Sequence, residues 1–244
     1  MGVYDSLPQD SQRYGYRIYT LVKNGPLFLS EASELSDFII PPQDVIDKKI
    51  SFSDWVLSIA NKELNLRIYS LKTRTFKDII IKTNDKDNKD GILGASVRFE
   101  NWSISHKKVL HILNVEKNSF AEKIGIIPEK DYIVAVRPSG HQILSLNIED
   151  KDPLFVLGAI INKCKGIKCE FFIYNIENGN KVVKGLIEKD DEFHLGIDGA
   201  YGALHEFPLT INNEVIINKD EKEDLNKKSE YVIGEDVKNG LQNI

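Results

Sequence analysis

The alternation of apolar and polar residues predicts a chain built mainly of strands, with a few short helices. Strand-like alternation occupies residues 16–22, 64–69 and 76–81, and a short Lys-Thr-Arg turn joins the last two into a hairpin. Four apolar residues of segment 51–59 recur at helical spacing and share one face, which predicts a helix. A shorter helix is expected within residues 27–35. The pattern is therefore that of a mostly β fold of the α+β class.

The same order of segments begins again after Trp102. Lys117 and Asp131 repeat Lys23 and Asp37, both at an offset of 94 residues. The repeated segments are a strand at 109–115, an apolar helix at 154–161, a strand at 171–174 and its hairpin partner at 182–187. Repetition on this scale indicates two β-rich modules that meet near residue 104.

A glycine turn that leads directly into a strand is the strongest local motif. In residues 90–99, Gly91 and Gly94 precede an alternating apolar run, so the turn can leave backbone N–H groups free for an anion or a peptide carboxylate. We call this stretch the first cradle. Residues 194–201 form a weaker copy, the second cradle, 102 residues later. From the residues alone, a tight turn without any ligand is an equally good interpretation.

Composition narrows the class of function. The 244 residues are 41% apolar and 28% charged with a net charge of −5, typical of a globular protein, and no basic patch indicates a nucleic-acid partner. No Gly-x-Ser-x-Gly elbow, His-Glu-x-x-His helix or phosphate-binding Gly-x4-Gly-Lys loop occurs, so we expect no enzyme activity. Cys164 and Cys169 are expected to be free thiols, and the five histidines lack metal-ligand spacing. We therefore predict no metal and no cofactor.

The two ends of the chain differ from its middle. Residues 1–13 are predicted to be an extended leader in which Gly2 and a serine at the sixth position match the N-myristoylation pattern. A single acyl chain binds membranes only marginally, so a second attachment would be needed. Residues 209–244 are highly charged and are predicted to be a largely disordered tail.

Taken together, these motifs resemble the Golgi reassembly and stacking protein (GRASP) family. The matching strings, in the family's order, are Gly2, residues 14–16, 36–39, 91–99, 130–133, 195–197 and 201–205. The resemblance implies two tandem PDZ-like domains of the circularly permuted kind, over residues 14–104 and 105–208. In such domains the strand that flanks the peptide groove comes last.

The resemblance also implies which residues form the two grooves. In the first, Leu93, Gly94, Ala95, Ser96 and Val97 would hold a ligand on the strand side, and Trp55, Val56 and Ile59 would line the helix side. In the second, the corresponding residues would be Leu195, Gly196 and Ile197, with Leu157 and Ile161. For Trp55, a place in the core is the commoner role of such a residue. A tryptophan at Gly94 is expected to block the ligand and leave the fold mostly intact.

The partners implied by the resemblance are a golgin-type coiled-coil protein, bound through its C-terminus, and a second copy of the chain. Self-association would insert Tyr201, Gly202, Leu204, His205 and Phe207 of one molecule into the first groove of another. With the acyl group, these contacts would tether and stack Golgi membranes from the cytosolic face. The alternative is an adaptor for vesicle tethering or unconventional secretion that does not stack cisternae.

Three positions depart from the family pattern. A histidine and a cysteine that have been linked to zinc in animal members are replaced here by Arg17 and Glu100, so no zinc is expected at that place. Asp198 in the second cradle stands close to where a ligand carboxylate would approach. It argues against C-terminal peptide binding by the second module.

Overall fold

The computed structural model of the chain describes residues 13–190, 193–211 and 214–216. Gly2 and nearly all of the predicted leader lie outside the described residues, as do residues 217–244. Within the described ranges, no helix combines the length and apolar character needed to cross a membrane.

The first module is a five-stranded antiparallel sheet that carries three short helices. Its strands are β1 (Tyr14–Leu21), β2 (Asp37–Ile40), β3 (Glu63–Ser70), β4 (Thr75–Lys82) and β5 (Ala95–Asn101), and its helices are α1 (Pro26–Leu29), α2 (Gln43–Asp47) and α3 (Phe52–Ser58). The order across the sheet is β4-β3-β2-β1-β5. The predicted strands, their hairpin and the helix at 51–59 are confirmed.

The expected helix at 27–35 is wrong in its length, because α1 ends at Leu29. Glu31 and Leu35 adopt positive φ angles of 63° and 59°, which are incompatible with a continuing α-helix. The amide of Leu35 instead donates a hydrogen bond to the carbonyl of Ile18 (2.7 Å). The segment after α1 is therefore a loop tied to β1.

The second module repeats this plan. Its strands are β6 (Leu110–Val115), β7 (Asp131–Pro138), β8 (Leu144–Ser145), β9 (Lys168–Asn175), β10 (Gly179–Leu186) and β11 (Ile197–Ala200), and its helices are α4 (Phe120–Lys123) and α5 (Pro153–Lys163). The order β10-β9-β7-β6-β11 matches the first sheet strand for strand, with β8 added beside β7. Strands β12 (Leu209–Ile211) and β13 (Glu214–Ile216) form a separate two-stranded ribbon just beyond residue 208.

The duplication extends to single hydrogen bonds. The amide of Glu129 donates to the carbonyl of Ile112 at 2.7 Å, as that of Leu35 does to Ile18. Asp131 is buried and accepts a hydrogen bond from the amide four residues before it, and Asp37 does the same. Both aspartates thus close the loop that leads into their strand. The equal strand order and these matching hydrogen bonds show that the two modules share one fold.

Alternation along the strands gives each sheet two buried faces. On one face, Ile18 and Ile173 join the core beneath the helices of their own module. On the other face, Tyr19 and Phe172 contribute to a third cluster that draws on both sheets. This cluster, which we call the seam, comprises Tyr19, Leu35, Phe38, Tyr69, Leu71, Trp102, Val109, Tyr132, Val134, Ala135, Phe172, Tyr174 and Phe207. The two sheets therefore pack back to back.

A buried ion pair lies beside the seam. Arg17 is fully buried, and its Nη1 lies 3.5 Å from Oε2 of Glu100. The Nε and Nη2 atoms of Arg17 donate to the carbonyl of Leu35, while Glu100 accepts from the Tyr19 hydroxyl (2.6 Å) and the Asn147 amide (3.2 Å). Burial and the nearby carboxylate raise the pKa of Tyr19, so its hydroxyl remains a donor. An ion pair thus occupies the two positions that the family pattern assigns to histidine and cysteine.

We expect removal of one partner of this pair to be strongly destabilising. Glu100→Gln would leave the Arg17 guanidinium buried without its counter-charge, which costs about 3–5 kcal/mol of unfolding free energy. The exposed pair Asp44–Lys48 (3.5 Å) offers a control, since Asp44→Asn should cost no more than about 0.5 kcal/mol. Urea denaturation of both variants measures the difference, and equal losses would contradict a structural role for the buried pair.

Candidate functional site

The first cradle presents two backbone amides without a partner in the described chain. Its carbonyl groups are used: the Gly94 oxygen accepts from the Val22 amide (2.8 Å), and the Leu93 oxygen accepts from the Leu27 amide (3.3 Å). The amides of Leu93 and Gly94 donate no hydrogen bond to any other described residue. Two converging N–H groups of this kind are suited to an anionic or carbonyl oxygen from outside.

A close approach of two glycines fixes the shape of this turn. Gly94 has a positive φ of 62°, and a Cβ atom there would lie 3.0 Å from Gly25 Cα and 3.1 Å from Pro26 Cδ. Any side chain at Gly94 would therefore push against backbone that is itself held by hydrogen bonds. A tryptophan at this position is therefore expected to strain the turn as well as to block a ligand.

The predicted first groove would lie between β5 and α3. Strand β5 pairs only with β1 in the described chain, so its other edge is open. The register places Ala95 and Val97 on the face that carries α3, where both are half-buried against the module core, whereas Ser96 is exposed on the other face.

The helix-side residues of the first groove are buried. Trp55 is 4% exposed, and Val56 and Ile59 are little more accessible, so all three belong to the core beneath α3. Ser51 caps the start of the helix by accepting from the Asp54 amide (3.1 Å). The structure thus brings the predicted strand and helix residues together in one core cluster, in which the helix residues are buried.

An aromatic cluster at the far end of the first groove was not among the predicted site residues. Phe99 is 53% exposed, and its ring centroid lies 5.0 Å from that of Tyr16 and 5.5 Å from that of Tyr14. Tyr16 also contacts Phe52 at the start of α3 (4.1 Å). The alternation that includes Ala95 and Val97 continues to Phe99, and this continuation is the sequence signal from which Phe99 could have been predicted as a site residue.

The second cradle reproduces the hydrogen bonds of the first. The Gly196 oxygen accepts from the Glu116 amide (2.9 Å) and the Leu195 oxygen from the Ala121 amide (3.0 Å). The amides of Leu195 and Gly196 likewise donate to no other described residue. Strand β11 is the edge strand of its sheet. The backbone of both cradles therefore has the same capacity to bind an acceptor.

The side chains around the second groove are mostly part of the module core. Ile197 packs against that core and is half-buried. Leu157 and Ile161, predicted for the helix wall, are buried on the inner face of α5. Among exposed residues of α5, Phe155 is the large apolar one.

The segment predicted for self-association is divided between surface and interior. Tyr201 and Leu204 are 44% and 49% exposed, and Gly202 is half-buried between them. Phe207 is only 1% exposed; its ring lies 4.6 Å from that of Tyr174, and its amide donates to the carbonyl of His106 (2.7 Å). The end of this segment is therefore held in the seam.

Polar contacts also fix the end of this segment. Glu206 pairs with Arg74 (2.8 Å) and faces His106 (3.8 Å), and the Nδ1 atoms of His205 and His111 lie 3.0 Å apart. The contact between the two histidines requires that only one of the two Nδ1 atoms carries a proton. Each of these contacts joins the segment to a different element of the chain.

Burial keeps the histidines of this region neutral. It lowers the pKa of His106 to about 4. The neighbouring Arg74 also lowers this pKa, and its effect is larger than the opposite effect of Glu206. Burial likewise lowers the pKa of His111 and of His205, and the neighbouring His111 ring lowers that of His205 further. Protonation of any of these rings would place a positive charge in a buried contact that favours the neutral ring.

Metal-ligand geometry is absent from the described part of the chain, where no group of three or more His, Cys, Asp or Glu side chains is arranged to hold a metal ion. Cys164 and Cys169 are buried free thiols. Burial raises the pKa of both, that of Cys169 to about 12, which makes them poor nucleophiles.

We predict that Gly94→Ala destabilises the first module more than Gly91→Ala does. Both glycines have positive φ, so either substitution costs about 1–2 kcal/mol of backbone strain. Only at Gly94 does the new methyl group meet Gly25 and Pro26, whereas nothing lies within 4 Å of a Cβ at Gly91. Thermal denaturation of the two variants compares them, and equal stabilities would contradict the close packing of the turn.

We also predict that the chain loses stability on acidification because of His106. The folded-state pKa of about 4 is below the ordinary value of 6.5, so the unfolded state binds more protons between these two values. The unfolding free energy should therefore fall across this window, with a slope of at most about 1.4 kcal/mol per pH unit from this group.

His106→Gln should reduce that slope, as measured by urea denaturation at a series of pH values. The exposed His141 provides the matched control, His141→Gln, whose slope should equal that of the original chain. A slope unchanged by the His106 substitution would refute the assignment.

Comparison with known proteins identifies the family. The model of the GRASP55/65 PDZ-like domain matches residues 66–210, more than half of the chain. Golgi reassembly-stacking protein 1 of Mus musculus is 28% identical over 213 residues, and its Homo sapiens counterpart is 27% identical over 199. These alignments cover 85% and 80% of this chain but 45% and 43% of the relatives, so the chain spans less than half their length. With its two antiparallel sheets of equal strand order, the chain belongs to the Golgi reassembly and stacking protein (GRASP) family and consists of tandem PDZ-like domains.

Proposed function

We propose that this chain is a non-enzymatic, membrane-anchored scaffold that binds peptides in its PDZ-like grooves and thereby tethers Golgi membranes. The observation that carries the proposal is the first cradle, where the open amides of Leu93 and Gly94 adjoin an unpaired strand edge. The similarity to two Golgi reassembly-stacking proteins supports the Golgi membrane as the place of action.

In the proposed complex, the C-terminus of a golgin-type coiled-coil protein adds to β5 as an antiparallel strand. Its carboxylate accepts hydrogen bonds from the Leu93 and Gly94 amides, each worth about 1.5–3 kcal/mol because the acceptor is charged. Alternate side chains of the ligand face α3 and contact Val97 and then Phe99. The buried residues Trp55, Val56 and Ile59 support the groove from below.

Anchoring is proposed to need two attachments. N-myristoylation of Gly2 would give one, and it would be weak and reversible by itself. A golgin held in the first groove would supply the other. This combination places the chain on the cytosolic face of the Golgi membrane as a peripheral, lipid-anchored protein.

Tethering further requires contact between molecules. We propose that the exposed part of the segment, Tyr201 to Leu204, enters the first groove of a molecule on the facing membrane when that groove holds no golgin. This contact joins two different surfaces and can therefore continue from one molecule to the next. Phe207 would remain in the seam of its own molecule and His205 in contact with His111, and both would fix the direction in which the segment leaves the molecule.

One observation favours the alternative, an adaptor for vesicle tethering or unconventional secretion that does not stack cisternae. Phe207 and Pro208 are buried in their own chain, which shortens the stretch that a neighbour could bind. In this function the first groove binds only foreign peptides.

A liposome-clustering experiment separates the two functions. We predict that acylated protein clusters liposomes and that the double variant Tyr201→Ser/Leu204→Ser abolishes clustering while golgin-peptide binding persists. Substitution is preferable to deletion of the segment, because deletion would remove Phe207 from the core. Ile80→Ser is the matched control, since Ile80 is 69% exposed on the opposite edge strand β4. Clustering that survives the double variant would favour the adaptor.

The groove itself is tested by Phe99→Ser. Loss of one exposed aromatic contact at the far end should weaken a golgin C-terminal peptide by about tenfold, equivalent to roughly 1.4 kcal/mol. Isothermal titration with the free-carboxylate peptide and with its C-terminal amide completes the test. Equal binding of both peptides would count against the carboxylate role of Leu93 and Gly94.

A further inference from the structure

The two cradles share a backbone but differ in charge. Superposition by the internal repeat places Glu116 where the first cradle has Val22, and Asp198 where it has Ser96. The lysines beside them, Lys23 and Lys117, are common to both modules and so do not contribute to the difference. The second cradle therefore carries two carboxylates that the first one lacks.

Both carboxylates lie at the open side of the second cradle. Oε2 of Glu116 is 3.3 Å from the position that a Cβ at Gly196 would occupy. Its side chain is about half exposed and contacts the imidazole of His194 (3.1 Å). Asp198 is an exposed residue of β11, and its carboxylate accepts a hydrogen bond from the neutral amide of Asn114 (3.1 Å). In the described chain Asp198 forms no ion pair, so its negative charge is available to a ligand.

A terminal carboxylate would be repelled at this site. Its two oxygens would have to approach the Leu195 and Gly196 amides beside Glu116, with like charges only a few ångströms apart. A neutral backbone carbonyl can accept the same hydrogen bonds without this repulsion. The geometry of the second cradle is thus compatible with an internal peptide segment. Its negative charge, in contrast, is not compatible with a C-terminal carboxylate.

The position of Asp198 specifies the ligand further. Along β11, Ile197 faces the module core and Asp198 faces the other side of the sheet. A ligand strand added at the edge of β11 would place one side chain directly beside Asp198. Opposite charges in such a cross-strand pair are stabilising and like charges are destabilising.

We propose that the second groove binds an internal, extended segment of a partner protein with a lysine or arginine next to Asp198, and that it discriminates against C-terminal carboxylates. This proposal rests on the peptide-binding function proposed above and deepens it, because it assigns different ligand classes to the two grooves. A partner could then occupy the first groove with its C-terminus while a basic internal strand occupies the second.

The test uses the full chain labelled with ¹⁵N and two peptide probes. The first probe is an alternating valine–lysine peptide capped at both ends, and the second is an apolar peptide with a free carboxylate. We expect the capped basic peptide to shift the amide resonances of Leu195 and Gly196, and the free-carboxylate peptide to shift those of Leu93 and Gly94. A capped valine–glutamate peptide should shift neither pair.

Exchange of charge between the cradles provides the decisive variants. Glu116→Val/Asp198→Ser should weaken the basic peptide at low ionic strength by about two- to fivefold for each carboxylate removed. The reciprocal variant, Val22→Glu/Ser96→Asp, should weaken the free-carboxylate peptide at the first cradle. Added salt should reduce the effect in both variants, because the charges are exposed.

The outcomes distinguish this proposal from the function on which it rests. Shifts at Leu93 and Gly94 without any response of the second cradle to the basic peptide would overturn the proposal and leave peptide binding by the first groove in place. Equal affinity of the free-carboxylate peptide for both cradles would also overturn it. Absence of shifts at the first cradle with every probe would count against the proposed function itself.

Discussion

Back-to-back packing of the two sheets is the contact on which the other features depend. It uses the second face of the central strands, whose first face already covers a module core. The aromatic rings of Tyr19 and Phe172 meet there at 5.6 Å, edge to face. Because this burial is shared, the seam makes the stability of each module depend on the other. The groove strands β5 and β11 are edge strands of their sheets.

The ion pair of Arg17 and Glu100 shows how the seam tolerates charge. Each ionised group has hydrogen-bond partners besides the ion pair: a carbonyl oxygen for Nε and Nη2 of the guanidinium, and a hydroxyl and an amide for the carboxylate. The pair forms a polar cross-link between β1 and β5. Its desolvation is costly, and the surrounding hydrogen bonds offset part of that cost.

Much of the fold follows from the sequence because its strands alternate cleanly and its segments recur in the same order. The repeat of Asp37 at Asp131 and of Leu93 at Leu195 marks equivalent structural positions, and the equivalence holds for individual hydrogen bonds. The length of α1 could not be predicted from the sequence. Leu35 adopts a left-handed conformation that a leucine side chain ordinarily disfavours, and only its tertiary hydrogen bond explains this conformation. The burial of Phe207 was equally hidden, since one phenylalanine in a polar segment has no periodicity.

Part of the candidate site could also be predicted from the sequence, because its segments recur in the same order. Glycine spacing located both cradles, but the contact of Gly94 with Gly25 joins residues far apart in the chain and has no local signal. Apolar helical spacing identified Trp55 and Val56 without distinguishing the lining of a groove from the core below it.

The absence of a free linker between the modules has a consequence for partners that bind both of them. Since the seam holds the two sheets as a unit, the distance between the cradles is set by the fold and cannot adjust to the ligand. A partner that carries two ligand segments gains avidity only if the spacer between them matches that span, because effective concentration falls steeply for spacers that are too short and gradually for those that are too long. If both grooves bind peptides as proposed, the chain would select partners by the separation of their binding segments as well as by their sequences.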